Sequence, residues 1–458
     1  MLPSFNTFCV RQQKKKTRIK MAPYFPAASC CFWLLSNVFL AVPSWERLEA
    51  KLPTAPAPEC YHNTLPDDVA SSSSLIFYRD TESICPFAQQ IWLALEVKNI
   101  NYVTVLVDTV IEEHSWSSPL RVQWPDGTLQ TDALEILERL EKEYPGGEES
   151  NGVLNLFPSI SAAVDSVRCN IVRFQGVFPR NTQPNPYAPY LIRQKNPQDL
   201  SDTSWAPESD HLVTLEETDE VMEEYYQGPF LCGAQITAAD IVWAPFLERY
   251  AAQLPLVYDS DSDDLTPRSS EYETLKEWYE AMEEQVPAYS CRVMGDKATW
   301  ERLFQTGVEN KLTPDVKLQP FSRPGTTAAI PTKRRTFNTK AVWNQYARTR
   351  PHVAESPELE CAAYYVRNRA TIITQAAADI ATMSENEIES ALLEVLGALL
   401  ESGGVDDPSV VSSLSGNARE LASYLEERLC VPRDMGALPA AALRTLAAAA
   451  PKPRIASR

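Results

Sequence analysis

The segment that most constrains this chain runs from Leu75 to Tyr144, where strand-like and helix-like patterns alternate in a fixed order. Leu75-Ile76-Phe77-Tyr78 is a short apolar run with β propensity, and after it Phe87, Ile91, Ala94 and Leu95 recur at helical spacing. Tyr102 to Val107 reads as a second strand, bracketed by Asn101 and Asp108. Leu120-Arg121-Val122-Gln123-Trp124 then alternates, Pro125-Asp126-Gly127 turns, and Thr128-Leu129-Gln130 returns, which predicts a hairpin. A helix from Asp132 to Tyr144 closes the unit, with Leu134, Leu137 and Leu140 spaced for one face. The order is strand-helix-strand, then strand-strand-helix.

A thioredoxin-like sheet has that order. The next part of the chain is helical: Ile160, Val164, Val167, Ile171, Phe174 and Phe178 keep one stripe, and Leu212 to Tyr226 and Tyr272 to Gln285 repeat the signal. Between them, Thr237 can cap a helix, Asp240 can bond back to its backbone, and Ile236 and Ile241 can clasp across the cap. Ser384-Glu385-Asn386-Glu387 is a capping box that leads into Ile388, Leu392, Val395 and Leu396, and helices also fit Ala418 to Leu429 and Leu438 to Ala450. The predicted class is therefore α/β plus all-α. It comprises a thioredoxin-like domain over 73–148, an all-helical domain over 149–305 and a helical extension over 361–458.

Two stretches read as linkers: the Pro-rich 45–72, and 306–360, which carries Lys333-Arg334-Arg335 and no apolar periodicity. Residues 1–44 read as a targeting segment, in which a basic start (Arg11, Lys14, Lys15, Lys16, Arg18, Lys20) precedes the apolar run from Ala27 to Val42. Val42-Pro43-Ser44 would be the cut site of such a leader. The run is near the lower limit of the ~17 to 25 residues that span a membrane, so a retained anchor is the alternative. Initiation at Met21 is another. An organelle, such as a plastid reached through the secretory route, is the expected destination; a cytoplasmic location is the alternative.

The formal charge is −19, so the body is a poor binder of nucleic acid. Four scattered histidines and no Cys-X-X-Cys pair predict no metal site, and seven unpaired cysteines beyond residue 44 suggest a reduced protein. One of those cysteines stands out. Cys85-Pro86 sits where the first strand turns into the first helix, so its thiol would lie at the positive end of the helix, where backbone N–H groups favour a thiolate. Pro86 suits the first helical position because its missing N–H would have had no partner there.

From these residues the chain resembles the cysteine-type glutathione transferases: the omega and lambda classes and the dehydroascorbate reductases. The matching residues are Cys85-Pro86-Phe87-Ala88-Gln89, Pro119 before the hairpin, Asp126-Gly127, and Gly228-Pro229-Phe230-Leu231-Cys232-Gly233 leading into Thr237 to Asp240 and Ala244 to Arg249. Trp278 to Met282, Pro287, Ala288 and Tyr289 look like that family's last helix and its exit, so the resemblance spans roughly residues 73 to 305. It implies that Cys85 is the nucleophile, that Pro86 and Phe87 flank the glutathione site, and that Pro119 is a cis-proline, with Ser118 presenting its backbone to the cysteinyl part of glutathione. The family's Glu-Ser pair for the γ-glutamyl end falls on Asp132-Ala133, so the acid is one methylene shorter and the hydroxyl is absent. Losing that donor would cost about 1 kcal/mol or more of affinity.

Ala88 stands where a dithiol enzyme keeps its resolving cysteine, so glutathione itself, as co-substrate, would have to release the Cys85 mixed disulfide. The resemblance therefore implies a thiol transferase or reductase acting on a small oxidised or glutathionylated substrate, with a homodimer as the expected assembly. Conjugation would instead need a hydroxyl from Ser83, Tyr78 or Ser74, each of which reads as a loop or strand residue. An electrophile pocket between the domains would be lined by Trp92, Phe174, Tyr187, Tyr190 and Trp243. The rival readings are a noncatalytic scaffold on the same fold, and a membrane-associated form like the soluble-to-membrane chloride channel relatives.

Overall fold

The sheet is built from residues on both sides of Cys85. The computed structural model describes residues 42–70, 74–81, 83, 85–108, 120–146, 154–158, 161–177, 208–224, 228–257, 271–302, 338–400 and 413–449. Strands β1 (Cys60–His62), β2 (Ile76–Asp80), β3 (Val103–Val107), β4 (Arg121–Gln123) and β5 (Leu129–Gln130) form one sheet in the order β1-β3-β2-β4-β5. β2 and β1 both run parallel to β3, while β4 is antiparallel to β2 and to β5. The turn between β4 and β5 needs Gly127, whose φ of 82° lies in the left-handed region, and Asp126 accepts from the Thr128 amide at 2.9 Å.

Helix α3 (Pro86–Val97) crosses from β2 to β3, and α4 (Ala133–Glu143) comes after β5. Between β1 and β2 lies the short α2 (Asp67–Ala70), and ahead of β1 lies α1 (Trp45–Glu49). The structure corrects the expectation of a structureless connector over 45–72: this stretch supplies an edge strand, and Leu48 of α1 is 2% exposed in the core of the C-terminal helices. Apolar alternation could not reveal β1, because its three residues are half to fully exposed.

The helical domain contains α5 (Ser161–Val177), α6 (Glu208–Glu224), α7 (Ala238–Val257) and α8 (Glu273–Gln285), then a π-helical turn (Tyr289–Val293). The Asp240 carboxylate accepts from the amide and hydroxyl of Thr237 at 2.8 and 2.9 Å, as the cap reading expected, and also from Leu231 N–H and Trp278 Nε1–H. Burial pushes its carboxyl up; these four donors oppose that.

The chain continues as α9 (Thr339–Ala347), α10 (Pro357–Arg367), α11 (Arg369–Asp379), α12 (Glu385–Leu399), α13 (Gly416–Arg428) and α14 (Ala437–Ala449). Helices α9 and the start of α10 correct the expectation of a linker over 306–360: Val342, Trp343 and Tyr346 are buried against Cys291 of the π turn. Ser384 and Glu387 form the expected capping box. The extension is bolted on by polar contacts: Arg444 pairs with Asp296, Val431 N–H donates to Thr299 Oγ1 at 3.0 Å, and Arg302 caps the carbonyls ending α13. Gly436 lies so close to Cys291 that a Cβ there would overlap its carbonyl group.

Among the described residues no helix is long and apolar enough to cross a membrane. The leader and its apolar run, to Ala41, lie outside the described residues, as do Ser118, Pro119, Tyr187 and Tyr190.

Candidate active site around Cys85

Cys85 is the N-cap of α3, in extended conformation (φ −71°, ψ 114°), with Pro86 opening the helix. Its place at the positive end of the helix is as the sequence predicted. Its chemistry is not. Cys85 is 1% exposed, and burial pushes its thiol up to about 12, with the nearby Asp80 carboxylate adding to the rise. The amides of Ala88 and Phe87 and the Arg249 guanidinium pull the other way and are outweighed. The expectation of a thiolate is thus corrected: the helix dipole is present, but removing the sulfur from water costs more than the dipole returns.

Buried polar contacts hold the loop and the first turn in place. Asp80, itself 1% exposed, accepts the Cys85 N–H at 3.1 Å, which fixes the loop between β2 and α3. One turn into the helix, Gln89 donates to Glu248 at 2.9 Å and accepts from Arg249 at 2.7 Å, locking α3 to α7. Glu248 also accepts from Tyr289 OH, Gly295 N–H and Trp300 Nε1–H at 3.1, 2.7 and 2.7 Å. Burial raises the Glu248 carboxyl, with Arg249 pulling it back; burial lowers Arg249 in turn. Sequence reasoning did not assign Gln89, Glu248 and Arg249 a role. The signal available was a charged pair inside the otherwise apolar run of α7.

Two residues expected to line an electrophile pocket are core instead. Trp92 is 2% exposed and packs against two guanidiniums, Arg79 at 4.2 Å and Arg292 at 4.7 Å from its ring centre. Burial brings Arg79 down to about 10, with Arg292 beside it adding to the drop. Trp243 is fully buried and donates to Asn170 O at 3.1 Å. Phe174 lies on α5, its side chain outside the described set.

The candidate hydroxyls are engaged. Ser83 accepts from Arg79 Nη1, and Tyr78 donates to Gln123 Oε1 at 3.3 Å. Phe87 is half-buried and meets Phe246 edge to face, with ring centres 6.0 Å apart. Asp132 is the exposed N-cap of α4, its Oδ1 accepting from Leu134 and Glu135 N–H at 2.9 Å each, and Ala133 beside it is half-buried. Among the described residues no cluster of His, Cys, Asp and Glu is placed to hold a metal ion.

Residues 195–281 match the family profile of the glutathione S-transferase C-terminal domain. No curated protein matches the chain. Among solved structures it is similar to glutathione transferase Omega 3C from Trametes versicolor, at 17% identity over 58% of this chain and 96% of that one, with a TM-score of 0.38. Omega 1C from the same organism gives 16% identity over 53% and 99%, with a TM-score of 0.40. A glutathione S-transferase from Rhodospirillum rubrum F11 gives 22% identity over 46% and 87%, with a TM-score of 0.33. Residues 195–281 thus match a glutathione S-transferase C-terminal domain, and a thioredoxin-like sheet precedes them.

Proposed function

We propose that this chain is a noncatalytic member of the glutathione transferase superfamily, a scaffold or interaction protein in which Cys85 is a packing residue. The observation that carries this is the burial of Cys85, a residue 1% exposed, which pushes its thiol up. Burial therefore favours the neutral thiol, the form that does not act as a nucleophile. The missing hydroxyl at Ala133 and the large docked extension support the same reading.

A second reading has two observations in its favour, and the first is that the Ala88 and Phe87 amides and Arg249 all favour the thiolate. On that reading the cleft opens and the chain works as a glutathione-dependent thiol transferase or reductase. The Cys85 thiolate attacks a glutathione mixed disulfide, expelling the substrate thiolate. A second glutathione then attacks the enzyme-glutathione disulfide, regenerating Cys85 and releasing glutathione disulfide. The transferase profile matched over residues 195–281 is the other support for it.

One assay separates the two. The full chain is titrated with glutathione and tested for reduction of a glutathionylated disulfide, beside Cys85→Ser and Cys85→Ala. The scaffold reading expects wild type and both variants to be equally inert. Turnover by wild type that both variants lose would establish the transferase. A homodimer and an organellar destination belong to the proposal on either reading, checked by the mass in solution and by sequencing the mature N-terminus.

A further inference from the structure

The carboxyl end of α3 opens on a cavity of about 900 Å³, at the far end of the helix from Cys85. Its walls come from residues 56–59, 98–103 and 144–145, with Arg350 and His352 after α9. Two of these wall segments lie in the stretches that read as linkers, and none lies in the matched transferase region 195–281. The cavity is thus bounded in part by segments this chain adds to the transferase fold.

Of the charges in the walls, Glu59 is exposed and accepts from Tyr61 OH at 3.1 Å, and the others are paired. Glu96 accepts from Tyr102 OH at 2.7 Å and Tyr346 OH at 3.1 Å, and it pairs with Arg350, whose Nη2 donates to the Glu96 carbonyl at 2.5 Å. Lys98 donates to Glu141 at 2.8 Å and to Leu154 O at 2.9 Å. Apart from the solvent-exposed Glu59, an ionic ligand would lose its hydration here without gaining a counter-ion of its own. Neutral groups remain. His352 is half-buried, and burial, with the Arg350, Arg292 and Arg367 guanidiniums, holds its imidazole below the ordinary range against the pull of Glu96. It therefore presents one donor and one acceptor at neutral pH. Burial likewise raises the Tyr144 phenol, which stays protonated beside Pro145, while Asn99 and Asn101 expose amides at the rim. The volume is in the ~300 to 1,000 Å³ range of small-molecule sites, and ring and proline faces favour a flat guest.

We propose that this cavity binds a small uncharged molecule with a flat ring and hydrogen-bonding groups on its edge, held by His352, Tyr144, Asn99 and Asn101. The site is independent of the Cys85 chemistry.

The test uses three isosteric probes of different charge, benzamide, benzoate and benzamidine, titrated into the full chain by ligand-observed NMR. Benzamide should saturate with a Kd of about 1 mM, the affinity expected for so few atoms. Both charged probes should bind at least ~5-fold more weakly, and His352→Ala should weaken benzamide by about 5-fold, the loss of one hydrogen bond. Asn101→Ala, at an exposed position, gives the same readout if His352→Ala fails to fold. Absence of saturable benzamide binding, equal or tighter binding of a charged probe, or equal binding by wild type and the folded variant would overturn the proposal.

Discussion

At its amino end α3 meets Cys85, a residue with 1% exposure, and at its carboxyl end it meets a cavity of about 900 Å³. Both ends carry ionisable groups, but their surroundings handle charge differently. The Gln89-Glu248-Arg249 contacts hold α7 against the first turn, and the dipole there acts on a buried Cys85. At the other end, Glu96 on α3 and Arg350, just after α9, neutralise each other and leave space beside them. The lesson is that a helix N-terminus creates a reactive group only where solvent or ligand can also arrive.

The contrast depends on the extension, so the largest expected effect comes from its contact with the π turn. Gly436→Leu would drive a side chain into the Cys291 carbonyl, and we expect at least ~3 kcal/mol of lost stability. Urea unfolding should then show the extension melting separately; an unchanged single transition would break the idea that the extension shapes the carboxyl end. Trp92→Ala, which removes the ring against which Arg79 and Arg292 pack, should cost about 3 to 5 kcal/mol by the same measurement. A cost under ~1 kcal/mol would return Trp92 to a pocket wall.

Cys85→Ser sharpens the other end. Burying a hydroxyl in place of the thiol should destabilise by about 1 to 2 kcal/mol, with Cys85→Ala milder. A serine variant as stable as wild type would point to a solvated site. The smallest effect belongs to the N-terminal strap. Ser44 Oγ accepts from Arg47 N–H at 3.4 Å, and Trp45 Nε1–H donates to Glu389 at 2.7 Å. Ser44→Ala, or a leader cut just after Ser44, should cost about 1 kcal/mol or less, read as a small drop in Tm.

How much was legible depends on where each signal resides. The unit from β2 to α4 declared itself because its apolar residues alternate or recur by turns, and Asp126-Gly127 marks its hairpin. The Thr237-Asp240 cap was readable because its partners are three residues apart. The Gln89-Glu248-Arg249 contacts were not, because their partners lie about 160 positions apart. Strand β1 escaped because an edge strand of three exposed or half-exposed residues needs no apolar pattern. Helix α9 escaped because its buried Val342, Trp343 and Tyr346 sit next to a basic, proline-containing stretch. The aromatic positions Trp92 and Trp243 show the limit of naming a pocket from helical spacing, which buried side chains share.

The most direct measurement is the pH dependence of Cys85 alkylation in the native full chain, by pulsed iodoacetamide and peptide mass spectrometry, with exposed Cys60 and Cys169 as internal references. Because the folded thiol is raised from about 9 towards about 12, protonation favours the native state, and this stability drains away as pH climbs above about 9. The account predicts that Cys85 resists labelling at pH 7 to 9 while Cys60 and Cys169 react, and yields only at strongly alkaline pH. Labelling of Cys85 at pH 7 as fast as that of Cys60 would contradict it.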